Sequence, residues 1–370
     1  MGPLIADKRL LVCVGSGGVG KTTSAASIAL AGALAGRRSL VLTIDPARRL
    51  ANSLGLTEIG NTEHRISLPA GTTGELWAMM LDAPSTFDDV IRRVARDEST
   101  RDAIFGNRIY RSIAGSFSGS QEYMATERLY DVVQSGRYDL VVLDTPPVKN
   151  ALDFLDAPGR LSRFLDKQVM KRLIAPEHDD DGGLFGSRLL AGTTAVVYRL
   201  LGHIFGAEFL SDIAQFFALF RDLYDGFRER HEAVERMFAA PTTAFLVVAA
   251  PTEPSMEVAG FFFNELRARK LPLAGLVVNQ VHQAQFETPD VEALLGDQAR
   301  NLDPVAAAPL LARLESAHTR LRALAAVEAK RVAELRRQAG PGVAVRVVPR
   351  FAAEVHDLAG LASLHGFLVG

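Results

Sequence analysis

A chain of 370 residues, 48% of them hydrophobic, is long enough to bury a large core, and its 41 basic residues against 43 acidic ones leave a net charge of −2. That balance excludes the strong positive field that draws a protein onto nucleic acid or an anionic membrane surface. The single cysteine, Cys13, excludes an internal disulfide and any site of paired or triple thiols, which fits a reducing, cytoplasmic setting.

The first residues, Met1 to Asp7, show neither a basic stretch leading into an apolar run nor the Ser or Thr of a myristoylation signal, so no secretion or acylation address is read there. Leu10 to Val14 is a short apolar run predicted as a buried strand. It leads into Gly15-Ser16-Gly17-Gly18-Val19-Gly20-Lys21-Thr22-Thr23. Thr22 to Gly36 is rich in Ala and Gly and reads as a buried helix, too short and too weakly apolar to span a membrane. Ser39 to Ile44 is the next strand, so strand, loop, helix and strand make one βαβ crossover. Further buried strands are predicted at Leu76 to Leu81, Tyr138 to Leu143, Phe245 to Ala250, Ala274 to Asn279 and Val343 to Val348. Strands apolar on both faces imply a mostly parallel sheet covered by helices.

Two connections exceed what a crossover needs. The segments 82–137 and 145–243 carry helical periodicity and are predicted to form a helical subdomain inserted into a single nucleotide-binding domain over 1–370. In the second, Phe209, Ile213, Phe216, Phe220, Leu223 and Phe227 recur at three- and four-residue steps on an amphipathic helix. With the apolar segment Leu189 to Phe205 that face either lines a groove for a hydrophobic helix of another protein or packs as core. His178 to Ser187, with three aspartates and two glycines in a row, reads as an exposed turn, and Ala306 to Gln338 as one long helix or a hairpin.

The glycine-rich loop fits G-x-x-x-x-G-K-[ST] between a strand and a helix, the context in which that pattern has mechanical meaning. Glycines let successive backbone N–H groups turn inward around an anion, and the following helix directs its positive end to the same place. The expected fold class is therefore α/β, a P-loop NTPase with flanking helices. Gly15, Ser16, Gly17, Gly18, Val19, Gly20, Lys21, Thr22 and Thr23 are the candidate phosphate-binding residues, with Lys21 on the β- and γ-phosphates and the Thr22 hydroxyl on Mg²⁺. Asp144, ending the apolar run 138–143, is the candidate second metal residue, acting through a bound water. Asp45, in Thr43-Ile44-Asp45-Pro46-Ala47, either orients the attacking water or caps a helix beginning at Pro46.

These segments together resemble the ATPases that drive arsenical pumps or target tail-anchored membrane proteins, within the wider group of division-site and plasmid-partition ATPases. The resemblance rests on the loop at 15–23, Asp45-Pro46-Ala47, Asp144-Thr145-Pro146-Pro147, Val277-Val278-Asn279-Gln280 and Val348-Pro349-Arg350-Phe351, in the family's order. It implies ATP and Mg²⁺ as cofactors and an ATP hydrolase whose nucleotide-driven dimer cycle controls binding and release of a protein partner or hydrophobic client. It implies Lys21 and Asp45 in catalysis, Asp144 and Thr145 at the opening of a second switch, and Ser112 to Glu122 as a relay. Asn279 is implied as the adenine-reading amide, with Pro349, Arg350 and Phe351 packing on the base; a carboxamide both donates to and accepts from the adenine edge, and no [NT]-K-x-D motif for guanine is found.

Three departures qualify the resemblance. Ser16 stands where the family's loop carries a lysine that reaches across the dimer, so hydrolysis is expected to be slow in a homodimer, or the chain pairs with a lysine-bearing paralogue. The zinc-clamping cysteines and the metalloid-binding cysteines are both absent. Two other functions stay open: an ATP-gated chaperone or scaffold that scarcely hydrolyses, and a spatial-positioning ATPase. The last is disfavoured because the apolar end Leu358 to Gly370 lacks Lys or Arg, and no nucleic acid or stable membrane insertion is expected.

Overall fold

A computed structural model of the chain describes residues 1–44, 49–56, 60, 62–81, 88–89, 91–93, 95–114, 120–146, 207–283, 304–352 and 355–369. The apolar runs at Leu10–Gly15 (β1), Arg38–Thr43 (β2), Glu75–Met80 (β4), Leu140–Asp144 (β5), Thr243–Ala249 (β6), Leu273–Val281 (β7) and Ala344–Pro349 (β8) are strands, joined by a short His64–Ile66 (β3). They form one eight-stranded sheet in the order β3-β4-β2-β5-β1-β6-β7-β8. Every pairing is parallel except β3 with β4. The edge strand was missed in sequence because three residues with two of them exposed carry no readable alternation.

β1, β5 and β6 are buried along their whole length, as central strands of a parallel sheet covered on both faces must be. Truncating one such side chain, Leu246 for example, to alanine removes about 2–5 kcal/mol of stability through lost transfer energy and a cavity.

The chain divides into two compact units, one of Met1–Leu81, Ser135–Ala151 and Phe238–Gly370 and one of Asp82–Gln134 and Leu152–Met237. In the first, Lys21–Leu34 (α2) lies over β2 and β5, preceded in the chain by the short Gly2–Asp7 (α1). The apolar end of the chain is a helix, Leu358–Val369, whose Leu361, Leu364 and Leu368 are buried in the same core as α2. The Ser27 hydroxyl of α2 donates to the Leu361 carbonyl at 2.9 Å, so this segment is core rather than a free amphipathic face. Glu253–Ala268 packs on β6 and on the long helix Pro304–Ala339, which is a single helix and not a hairpin.

The second unit is helical: Glu98–Gly106, Arg108–Ala114, Ser120–Gln134 and most of Ala207–Ala239. Glu98–Gly106 is capped by Asp97, which accepts the Thr100 N–H at 2.7 Å, and Arg108–Ala114 is preceded by Asn107, whose Oδ1 accepts the N–H of Ile109 at 2.9 Å and of Tyr110 at 3.2 Å. Arg230 donates to the fully buried Glu127 and, at 2.8 Å, to Asp131. Burial disfavours that guanidinium's charge, but the two carboxylates outweigh it and hold the group above its ordinary value. Of the Phe-rich stripe, Phe216 is buried; the side chains of Phe209, Ile213, Phe220, Leu223 and Phe227 lie outside the described residues, as do 178–187 and 189–205.

Candidate functional site

β1 ends at Gly15, where an added Cβ would stand 2.1 Å from the Val248 carbonyl of β6. The loop therefore leaves the sheet through a gap that only glycine fits. It closes at Gly20, in the left-handed region at φ 87° as the residue before α2, and a Cβ there would meet Asn279 Nδ2 at 2.2 Å. Between them the Val19 side chain is buried in the core, which fastens the loop from below.

Lys21 is buried, and its ammonium donates to the Ser16 carbonyl at 2.8 Å, folding over the loop that it follows. The Thr22 hydroxyl donates to Asp144 Oδ2 at 2.7 Å, and the Thr43 hydroxyl at the end of β2 donates to the same oxygen at 3.0 Å. Asp144 is 1% exposed and pairs in register with Cys13 across β5 and β1. Thr145 follows it and donates its hydroxyl to the Cys13 carbonyl at 2.8 Å. Burial pushes the Cys13 thiol up, Asp144 adds to this and Lys21 opposes it, so the one cysteine is a neutral, inert core group.

A cavity of about 920 Å³ opens over this loop. Gly18, Gly20, Lys21, Thr22 and Thr23 form one end of it; Asn279, Gln280, Pro349, Arg350 and Phe351 line it from β7 and β8. Neighbouring parallel strands β7 and β8 bring the last group together although their sequence positions lie far apart. Phe351 stands edge-on to Phe367 of the C-terminal helix, with ring centroids 6.0 Å apart. Five of the nine candidate phosphate residues and the candidate base residues thus border one space. Gly15 and Ser16 lie behind it: the Ser16 hydroxyl is 3.2 Å from that of Ser255, which itself accepts the Ala250 N–H. Asp45 lies outside the described residues, as do 115–119 of the expected relay.

Sequence reasoning missed Thr43, Gln280 and the wall formed by Asn52, Ser53 and His356. Thr43 had a signal, since it ends a strand beside the one that carries Asp144. The wall residues had none, because only the packing of the short helix Arg49–Ser53 and of the segment before the C-terminal helix carries them there.

The family model of the anion-transporting ATPases matches residues 8–180. The chain is 26% identical over 316 residues to the ATPase ARSA1 of Chlamydomonas reinhardtii, an alignment covering 80% of this chain but 38% of that protein. It is 26% identical over 275 residues to the ATPase ASNA1 homolog 1 of Paramecium tetraurelia, with 72% and 73% covered. To the ATPase GET3 of Kluyveromyces lactis it is 25% identical over 291 residues, with 75% and 73% covered. The span matched to the family model runs from the first strand past Asp144, the stretch that builds the glycine-loop end of the cavity, and over it the chain is similar to the anion-transporting ATPases.

Proposed function

We propose that the protein hydrolyses ATP with Mg²⁺ and, as a dimer in the cytoplasm, uses that cycle to bind and release a protein partner with a hydrophobic segment. The observation that carries the reading is the pair Thr22 and Asp144, 2.7 Å apart at the foot of a glycine loop and helix N-terminus. A hydroxyl that gives its proton to a buried carboxylate keeps its lone pairs for a hard cation, so this donor set fits magnesium, with Thr22 as direct ligand and Asp144 acting through a bound water. When bound, the ion neutralises charge on the terminal phosphates.

The remaining work falls to this chain's own groups. Backbone N–H groups of the loop and the positive end of α2 hold the phosphates in place. Lys21 leaves the Ser16 carbonyl to place its ammonium on the β- and γ-phosphate oxygens, where charge grows during transfer. Asp45 orients the attacking water. Asn279 reads adenine, and Pro349 to Phe351 cover its face.

Ser16 favours a second reading, a scaffold that holds ATP and scarcely turns it over, because a serine supplies no cation to a partner's nucleotide. Phosphate release by the unaltered chain and by Lys21→Ala separates the two. Turnover well above the variant supports the enzyme; equal rates support the scaffold. If a lysine-bearing paralogue is the physiological partner, the mixed dimer turns over faster than this chain alone.

A further inference from the structure

Asn279 and Gln280 are consecutive on β7, where successive side chains should face opposite sides of the sheet. Yet both reach the same loop: Asn279 Nδ2 donates to the Val19 carbonyl at 2.9 Å, and Gln280 Nε2 donates to the Gly18 carbonyl at 3.1 Å. The backbone makes this possible by an irregularity. Gln280 sits at φ 61°, one of two non-glycine residues in the left-handed region among those described, and the register with β8 shifts between Val278 and Val281. A side chain held in that region is strained, and such strain persists only where surrounding contacts impose it.

We propose that Asn279 and Gln280 form a paired clamp that orients the anion-binding N–H groups of Val19 and Gly20 before nucleotide arrives. In a trans peptide the carbonyl and the next N–H point in opposite directions. Holding the Gly18 carbonyl outward therefore turns the Val19 N–H inward, and holding the Val19 carbonyl outward does the same for the Gly20 N–H. Gly20 lacks the Cβ that would push the Asn279 amide away, so loop and clamp fit each other. The clamp rests on the nucleotide-binding reading above and adds Gln280 to it as a positioning residue that acts through the loop.

The test compares the full chain with Gln280→Asn and Gln280→Gly by melting without nucleotide and by calorimetric titration with Mg·ATP and Mg·GTP. Both replacements accept a positive φ, and neither reaches the Gly18 carbonyl. The expected result is a melting temperature unchanged or raised by about 1–3 °C, with both nucleotides bound about five- to tenfold more weakly. Equal affinity in variant and unaltered chain overturns the clamp. So does a loss that accompanies a lowered melting temperature, or one confined to ATP, which would make Gln280 a structural or a base-reading residue. Failure of the unaltered chain to bind Mg·ATP would instead remove the nucleotide reading, and the clamp with it.

Discussion

The two ends of the cavity are built on different principles. The proposed phosphate end is five residues of one contiguous loop backed by a buried carboxylate, with its lysine buried and the Thr22 and Thr43 hydroxyls donating to that carboxylate at 2.7 and 3.0 Å. The proposed base end is assembled from Asn279 at the end of β7, which also holds the loop, and from Pro349, Arg350 and Phe351 at and just after the end of β8, all half-buried or exposed. The difference teaches where each kind of energy belongs. Interactions with charge that develops during reaction require preorganised groups shielded from water, whereas ground-state contacts with a flat base tolerate an open rim. The phosphate end should therefore govern kcat, and the base end KM.

Substitutions at the two ends sharpen or break that contrast. Lys21→Ala removes the only ammonium in the loop and should lower kcat by about a thousandfold, read as phosphate release at saturating ATP. Asp144→Asn keeps the shape but not the charge facing Thr22; a magnesium titration of turnover should show about 10- to 100-fold weaker metal dependence. Gly20→Ala places a methyl 2.2 Å from the Asn279 amide at φ 87°. It should weaken Mg·ATP binding about tenfold by calorimetry, and thermal melting should show a loss of about 1–3 kcal/mol.

At the other end the expected effects are smaller. Asn279→Ala removes both the proposed adenine contact and the donor to the Val19 carbonyl; as both act in ground-state binding, it should raise KM for ATP about three- to tenfold with kcat within about twofold, and the adenine part should narrow the preference over GTP in a competition assay. Phe351→Ala loses an aromatic contact with Phe367 worth about 0.5–1.5 kcal/mol, and its KM should rise only about two- to fivefold. A kcat loss at Asn279 as large as that at Lys21 would dissolve the distinction between the ends.

The loop, the seven longer strands and the helical character of 304–339 were legible in sequence because each depends on local chemistry: glycine at a tight turn, β-branched runs, helical periodicity; that 304–339 is one helix and not a hairpin was not. Asp144 was legible for the same reason, as a carboxylate ending such a run. Gln280 was not. Its neighbour's side chain should face the other way, and only the register shift against β8 and the left-handed φ bring the two amides to one loop. The C-terminal helix shows the same limit. Its apolar composition fits a membrane face or a core equally well, and the Leu361 contact with Ser27 decides between them.

By itself, then, the sequence determined the glycine-rich turn, the parallel sheet behind it and the serine at position 16, since all three are properties of short contiguous segments. The tertiary structure alone decided which distant residues wall the cavity, that Thr43 joins Thr22 on one carboxylate oxygen, and that consecutive amides grip the loop. Those outcomes depend on strand order and register, which are set by how whole faces bury against each other and leave no mark on any one stretch of chain.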